Sequence, residues 1–259
     1  MKTEESTIDR SDRTAKEWWN GWSEKFQTEY GGDGSEIGIA FGPGVPIGED
    51  FGLLDDLDGT RVIELGCGGA QFGLGIATHG AEVTGVDISE EQLEYARKLA
   101  DEHGEEIDLV ETTVTDMPMI EGEAYELAVS AFAFQWVEDL KACFEEAHRV
   151  LVPGGRLVFS VDHPFYRILD PETGDIATSY FDGEPRREYS EKIDAELVIY
   201  RRRVSDIVNA LIDAGFTIEE LCEPGFDDPD EYDSEYGMFR PERMATFPPT
   251  LVVAAVKSD

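Results

Sequence analysis

The stretch VIELGCGGAQFG, residues Val62–Gly73, decides the fold because it joins a short apolar run to a cluster of glycines. At the point where a strand would end, three positions have no side chain to pack: Gly66, Gly68 and Gly69. Glycine lets the backbone turn sharply and approach a ligand closely, and a helix that begins after such a loop presents free N–H groups. The stretch therefore predicts a strand–loop–helix unit that binds a nucleotide or a nucleoside.

The glycine loop by itself does not say which nucleotide-like ligand is bound. The dinucleotide pattern G-x-G-x-x-G is not met, because Gln71 stands where the third glycine belongs. The phosphate-binding pattern is also absent, since no Gly-Lys-Ser/Thr follows. Residues outside the loop must identify the ligand.

Strands and helices alternate from residue 60 onward. Ser89 is a candidate N-cap and Gly104 a candidate stop for the helix that follows the second strand. The predicted strands are TRVIEL, AEVTGVD, IDLVETTV, YELAVSAF, RLVFSVD, FTIEELCE and TLVVAAVK. Repeated β–α units require parallel neighbours and right-handed crossovers. The pattern predicts an α/β fold: a Rossmann-like, doubly wound, mostly parallel seven-stranded sheet with helices on both faces.

Two segments stand outside this alternation. Residues 1–50 are expected to form an N-terminal helical cap or lid, in which Trp18, Trp22 and Phe26 share one face of a helix. Residues 51–259 are expected to form the Rossmann-like domain, with a substrate-side insert at about 163–203 after strand five. Ligands of such sheets bind beyond the C-terminal ends of the strands, and the insert is expected to lie near these ligand-facing loops or at the sheet edge.

The charge is the strongest signal in the composition. The chain has 57 acidic and 21 basic residues, which gives a formal net charge of −36. Such a surface repels phosphate backbones and anionic lipids, so nucleic acid and membranes are not expected partners. The acids are spread along the chain, which favours adaptation to a salt-rich cytoplasm; an ordinary acidic protein is the alternative.

The apolar runs and the cysteines point to the same compartment. No stretch of 18 or more apolar residues occurs, and the N-terminus is charged rather than apolar. Cys67, Cys143 and Cys222 are widely separated and form no C-x-x-C pair, so neither a disulfide framework nor a metal site is expected. A reduced, cytoplasmic location is the expectation. The oligomeric state is left open.

A carboxylate lies at or just after the end of each of the first three strands. Glu64 lies directly before the glycine loop, where it would meet a positively charged group of a ligand. Asp87 closes the second strand, a position from which a carboxylate accepts hydrogen bonds from ribose hydroxyls. Asp116 follows the third strand and is placed to reach an adenine amine. Each residue alone could be a solvated surface acid; their order favours a ligand that contains adenosine.

Five stretches resemble the successive motifs of class I S-adenosylmethionine-dependent methyltransferases, and most closely the small-molecule type-11 group. They are VIELGCGGAQFG, VTGVDIS, TVTDMPM, YELAVSAFAFQWVED and EEAHRVLVPGGRLVFS, spread over residues 60–161. The resemblance implies S-adenosylmethionine as the cofactor and transfer of its methyl group to a small-molecule acceptor by in-line displacement. The chain departs from the family pattern at Glu126, where Asp is usual, and at Gln135, where many relatives have His.

The resemblance also implies which residues contact the donor. Those implied for the methionine moiety are Glu64, Gly66, Cys67 and Gly68. Those implied for the adenosine are Asp87 at the ribose hydroxyls, Ile88 against the adenine, and Asp116 and Met117 at the adenine amine and ring. Ser130 and Ala131 are implied to pass beneath the sulfonium.

Candidate catalytic residues come from SVDHPFY at the end of strand five. Asp162, His163 and Tyr166 would lie at the mouth of the crevice. His163 is the first candidate for a general base or a substrate-orienting group, because its unperturbed pKa is near 6.5. The alternative is that His163 only hydrogen-bonds the backbone next to Pro164. The basic cluster Arg201–Arg203 could hold an acidic group of a substrate or could form ion pairs with neighbouring carboxylates.

Two other functional classes remain open on the sequence alone. An NAD-dependent oxidoreductase is disfavoured by the missing third glycine and by the absence of a Tyr-x-x-x-Lys pair. A non-catalytic module that binds S-adenosylmethionine would carry the same donor motifs. The acceptor, and whether carbon, oxygen or nitrogen is methylated, are left open.

Overall fold

A seven-stranded sheet forms the centre of the computed structural model, which describes residues 9–30, 37–46, 52–54, 56–225 and 239–258. The strands of this sheet are β1 (Arg61–Leu65), β2 (Glu82–Asp87), β3 (Asp108–Glu111), β4 (Tyr125–Ala131), β5 (Leu151–Asp162), β8 (Phe216–Cys222) and β9 (Thr250–Lys257). A separate hairpin pairs β6 (Arg186–Ser190) with β7 (Ala195–Ile199). The helices are α1 (Arg10–Tyr30), α2 (Gln71–Ala77), α3 (Glu90–His103), α4 (Leu140–Val150), α5 (Val204–Asp213) and α6 (Pro241–Met244).

The strand order is β3-β2-β1-β4-β5-β9-β8. The first five strands of this order pair in parallel, and β9 runs antiparallel between β5 and β8. The predicted Rossmann-like, mostly parallel sheet is confirmed. Strand order reverses at β1 and β4, so the crevice in which such sheets bind ligands opens at the C-terminal ends of these two strands.

Helices cover both faces of the sheet, since the central strands are apolar on both sides. On one face α4 and α5 bury Phe144 and Leu211 against β4, β5 and β9. On the other face α2 packs with residues 37–46, whose Ile39 and Phe41 are almost fully buried. Residues 37–46 thus have no regular secondary structure and yet belong to the core.

Local sequence signals set the limits of several helices. Ser89 caps α3 by accepting a hydrogen bond from the backbone N–H of Gln92, and Gly104 ends the helix in the left-handed conformation, as predicted. Asp139 caps α4 in the same way. Helix α4 ends at Val150, and β5 begins directly at Leu151, with a shift in its pairing to β4.

The insert after strand five contains a β-hairpin that the sequence analysis missed. Its strands RREYS and AELVI are short and only partly buried, so they lack the continuous apolar runs that reveal the central strands. The hairpin packs against α1: a Cβ added at Gly21 of α1 would lie 2.9 Å from Cβ of Ile193 in the hairpin turn. Among the described residues, no helix is both long and apolar enough to cross a bilayer.

Candidate active site

The glycine loop turns directly after β1 and is held by the end of β2. The backbone N–H groups of Gly66 and Cys67 both donate to the carbonyl of Val86, at 2.8 and 3.0 Å. Gly66 and Gly68 have φ angles of 74° and 53°, which disfavour other residues. A Cβ at Gly66 would lie 2.5 Å from Cβ of Ala133, whereas one at Gly68 would meet only Gln92 Oε1 at 3.9 Å. The loop therefore packs tightly against the turn after β4, while the backbone at Gly68 borders open space.

Asp87 joins the glycine loop to the start of α3. One carboxylate oxygen accepts from the backbone N–H of Gly68 and the other from that of Ser89, both at 2.8 Å. Burial raises the pKa of Asp87, and these backbone hydrogen bonds oppose the rise. The side chain is half-buried. It therefore lies at the end of β2, where its oxygens can accept further hydrogen bonds from a ligand.

Glu64 is buried beneath the loop, with 2% of its surface exposed. Its Oε2 accepts from the backbone N–H of Gly73 in α2 at 2.9 Å, and a Cβ at Gly73 would overlap this oxygen. Burial raises the pKa of Glu64 to about 8, the hydrogen bond from Gly73 lowers it, and the charge of Asp87 raises it further. No cationic side chain among the described residues pairs with it. A positively charged ligand group nearby would lower the pKa of this buried carboxyl and stabilise its ionised form.

Helix α1 lies across the glycine loop and is held there by buried glutamines. Gln27 Nε2 donates to Gln92 Oε1 at 2.6 Å, and Gln71 Nε2 donates to Gln27 Oε1 at 2.5 Å, so α1, α2 and α3 meet above Gly69. Asn20 extends the contact by accepting from the hydroxyl of Ser89 at 2.7 Å. These polar contacts are spread over three helices, so no local sequence pattern predicted that the glutamines would pair with one another.

Aromatic packing continues this cover over the turn after β4. Trp19 makes edge-to-face contacts with Phe26 and with Trp136, with ring centroids 5.3 and 5.7 Å apart. Trp18 stacks on Trp22 at 5.4 Å. The predicted aromatic face of α1 is thus a packed surface that reaches the turn after β4.

The other residues that the resemblance implies as donor contacts form two groups, one at the strand ends and one in the core. Asp116 is exposed on the loop after β3, and Ile88 and Ala131 are half-buried. Met117 is completely buried in the core, and its backbone N–H donates to Glu146 Oε2 at 2.8 Å. Ser130 is also completely buried and donates to the carbonyl of Leu65 at 2.7 Å. The structure thus brings Ile88, Ala131 and Asp116 to the strand ends, whereas the side chains of Met117 and Ser130 support the crevice from behind.

Cys67 lies at the rim of a small core cluster under α2 and α3. Burial raises the pKa of its thiol well above the usual value. A Cβ at Gly85 would lie 2.9 Å from its Sγ, so the side chain points toward β2. The thiol stays protonated there, and Cys67 contributes its backbone rather than a thiolate to the loop.

The three candidate catalytic residues are each bound to a partner. His163 is completely buried; its Nδ1 accepts from the backbone N–H of Phe165 at 3.1 Å, so Nε2 carries the proton and donates to Glu223 at 2.8 Å. Burial lowers the pKa of His163, and Glu223 opposes this. This geometry favours the structural alternative for His163, a hydrogen bond to the backbone beside Pro164. Asp162 accepts from Arg167 Nε.

Tyr166 is also completely buried, where its ring stacks on Phe239 at 5.1 Å. Burial raises the pKa of Tyr166. Of the three candidates, Asp162 borders a cavity that extends to the insert and to the arginine cluster.

The comparisons with known proteins agree with this geometry. Residues 63–159 match the family described as "Methyltransferase domain". An S-adenosylmethionine-dependent methyltransferase of Mesorhizobium loti is 27% identical, with a TM-score of 0.60 over 79% of this chain and 94% of that chain. A protein of Haemophilus influenzae without an assigned function is 26% identical over 80% of this chain and 85% of its own length.

A ubiquinone biosynthesis O-methyltransferase of Idiomarina loihiensis is 34% identical over 110 residues, which cover 41% of this chain and 44% of that protein. The likeness to this relative thus covers less than half of either chain. The strand order, the glycine loop with its two carboxylates and the matched family agree: residues 63–159 carry a methyltransferase domain, and the chain has the fold and the donor motifs of S-adenosylmethionine-dependent methyltransferases.

Proposed function

We propose that the crevice between the glycine loop and α1 binds the methyl donor and that the acceptor is a small molecule. The observation that carries the proposal is the position of Asp87, held at the end of β2 by Gly68 and Ser89. The residues fit the donor: the backbone at Gly68 leaves room for a ligand, and Glu64 is a buried carboxyl without a cationic partner among the described residues.

In this proposal Asp87 accepts hydrogen bonds from the ribose hydroxyls, and Glu64 faces the charged methionine end beside Gly66, Cys67 and Gly68. Ile88 and Asp116 border the adenine, and Ala131 lies beneath the sulfonium. Met117 and Ser130 hold these positions from the core. When bound, S-adenosylmethionine supplies a methyl group on a positively charged sulfur, which makes that carbon open to in-line displacement.

The task of the chain is to align the acceptor, exclude water and take up a proton where the acceptor carries one. We propose that α1 and the β6–β7 hairpin together form the cap that excludes water, since they pack on each other and α1 packs on the turn after β4. Asp162 is the one of the three candidates that borders the cavity next to the insert. We assign it the proton-accepting or orienting role in place of His163.

The charge supports a small-molecule partner, and the cysteines support a reducing compartment. The net charge of −36 supports a small-molecule acceptor over nucleic acid. All three cysteines are free thiols in the structure, which supports a reducing compartment such as the cytoplasm.

Calorimetric titration in molar KCl tests the donor site. We expect binding of S-adenosylmethionine and S-adenosylhomocysteine but not of NAD, and a loss of about tenfold or more with Asp87→Asn, because hydrogen bonds to a charged acceptor are lost. Asp101→Asn, an exposed position on α3, is the matched control. Binding of NAD, or equal affinities of the wild type and Asp87→Asn, would contradict the proposal.

A further inference from the structure

A second feature of the strand ends is a cavity of about 190 Å³ between the turn after β4, the end of β5, the insert and the start of α5. An apolar cavity of about 150 Å³ holds benzene, so this volume suits one ring with a few substituents. Apolar and aromatic side chains form much of its wall, among them Leu140, Val161, Ile199, Tyr180 and Tyr200. The size and the wall both favour a compact, ring-containing ligand.

Arginines are concentrated around this cavity, although the chain has only 21 basic residues. Four guanidinium groups and three carboxylates line it. The ion pairs are Arg167–Asp162, Arg201–Asp182 and Arg203–Asp206. Arg202 has no carboxylate within ion-pair distance among the described residues; its guanidinium donates to the carbonyls of Phe134, Val137 and Glu138. The lining therefore carries one positive charge in excess.

Arg201, next to Arg202 in the chain, has N–H groups left for a ligand. This side chain uses only Nη1, which donates to Asp182 at 2.9 Å and to the hydroxyl of Thr178 at 3.2 Å. Its Nε and Nη2 have no partner among the described residues. A guanidinium with free N–H groups beside an unneutralised arginine binds carboxylates and similar anions well.

Gln135 supplies an independent sign of a ligand. Its side chain is 97% buried (3% exposed) and lines the cavity, and its Oε1 has no hydrogen-bond partner among the described residues. The orientation of the amide is settled, because Nε2 donates to the carbonyl of Phe132 at 2.6 Å. A buried oxygen that accepts nothing is uncommon in proteins. An O–H or N–H group of a ligand in the cavity would satisfy it.

The turn that carries Gln135 also contacts the glycine loop. Ala133 lies against Gly66, and the backbone carbonyl of Gln135 accepts from the N–H of Tyr200 at the end of β7. One short turn thus separates the proposed donor site from the cavity. The cavity therefore neighbours the turn that packs on the glycine loop.

We propose that this cavity is the acceptor site and that it selects a single-ring acid, with its anionic group at Arg201 and a hydroxyl or amino group hydrogen-bonded to Gln135 Oε1. The assignment rests on the proposed function of the donor crevice. The hydroxyl or amino group at Gln135 is the nucleophile: it forms the new bond to the methyl carbon, the carbon–sulfur bond breaks with its electron pair going to sulfur, and the nucleophile loses its proton to Asp162 or to water.

The test is a binding series on the full chain saturated with S-adenosylhomocysteine. The probes are the three hydroxybenzoate isomers, with benzoate and phenol as the compounds that lack one group each. We expect at least one hydroxybenzoate to bind about tenfold more tightly than either. Gln135→Met is expected to remove the advantage over benzoate, and Arg201→Gln the advantage over phenol. Arg97→Gln, exposed on α3, is the matched control.

The outcomes separate the two proposals. If S-adenosylhomocysteine itself does not bind, the donor site is wrong. If it binds to every variant while no hydroxybenzoate exceeds benzoate and phenol, the acceptor assignment is overturned. The acceptor assignment is also overturned if Gln135→Met and Arg201→Gln bind the hydroxybenzoates as the wild type does. Unchanged affinity for S-adenosylhomocysteine in the variants shows that they are folded.

Discussion

Glu64 combines burial with a carboxyl group that no cation among the described residues neutralises. Its pKa of about 8 lies above the usual value of 4.5, because burial disfavours the charged form. In the folded state the group holds its proton more tightly than in the unfolded state. Its contribution to stability is therefore complete below about pH 4.5 and is lost as the pH rises toward 8. A bound cation reverses this preference, so ligand binding and proton release are linked at this residue.

Binding of S-adenosylmethionine is expected to depend on pH through Glu64. If the donor binds the ionised form, its affinity rises about tenfold per pH unit below the pKa of the group and levels off near pH 8. Calorimetry at pH 7 in buffers of different ionisation enthalpy should show close to one proton released.

Glu64→Gln is the matched variant, because an amide oxygen can still accept from Gly73 but cannot ionise. Its binding should show neither the proton release nor the pH slope. A wild-type affinity that stays constant between pH 6 and 8 would contradict the linkage.

A few buried polar contacts help to hold helix α1 over the glycine loop. Gln27, 3% exposed, connects Gln71 of α2 with Gln92 of α3. Gln71 begins α2 directly after the glycine loop, and Gln92 lies in the first turn of α3, directly after β2. These hydrogen bonds hold α1 over the glycine loop, which suits the helix to act as a cap.

Gln27→Met is expected to loosen α1, since Met has a similar size but cannot form hydrogen bonds. The variant leaves polar groups of Gln71 and Gln92 unpaired, at a cost of about 1–3 kcal/mol. Hydrogen exchange in α1 should become roughly 5- to 160-fold faster, and the affinity for S-adenosylmethionine should fall.

Glu24→Gln is the control, because Glu24 is exposed on the same helix. Equal exchange rates for α1 in Gln27→Met and in this control would show that the glutamines do not hold the helix.

Over the whole molecule, the dominant property is the net charge of −36. The ion pairs of the structure are mostly exposed, such as Arg61–Glu126 and Lys98–Glu94, and such pairs each contribute little. The excess carboxylates therefore repel one another without compensation. We propose that salt screens this repulsion in the environment to which the chain is adapted.

The melting temperature is expected to rise with KCl concentration. The screening length falls from about 30 Å at 0.01 M to about 3 Å at 1 M. We expect an increase on the order of 10 °C, which corresponds to about 3–5 kcal/mol in a chain of this size. Most of the rise should occur below 1 M if screening is the cause. A melting temperature that does not change over this range would refute salt adaptation.

The sequence by itself determined the class of the fold and the order of the donor motifs. Apolar runs separated by helical segments are local patterns, and they located all seven strands of the sheet. The glycines of the loop, Asp87 at the end of β2 and the cap at Ser89 follow from the same local chemistry. Such features depend on neighbours in the chain, so they can be read without the tertiary structure.

Only the tertiary structure decided how distant polar groups are paired. It placed Glu64 against Gly73, bound both ring nitrogens of His163, and left Gln135 Oε1 without a partner among the described residues. It also showed the β6–β7 hairpin, whose half-buried strands lack a clear pattern. The physical reason is the same in each case: burial and hydrogen-bond partners depend on residues far apart in the chain, and these set the pKa, the exposure and the free bonding capacity of each side chain.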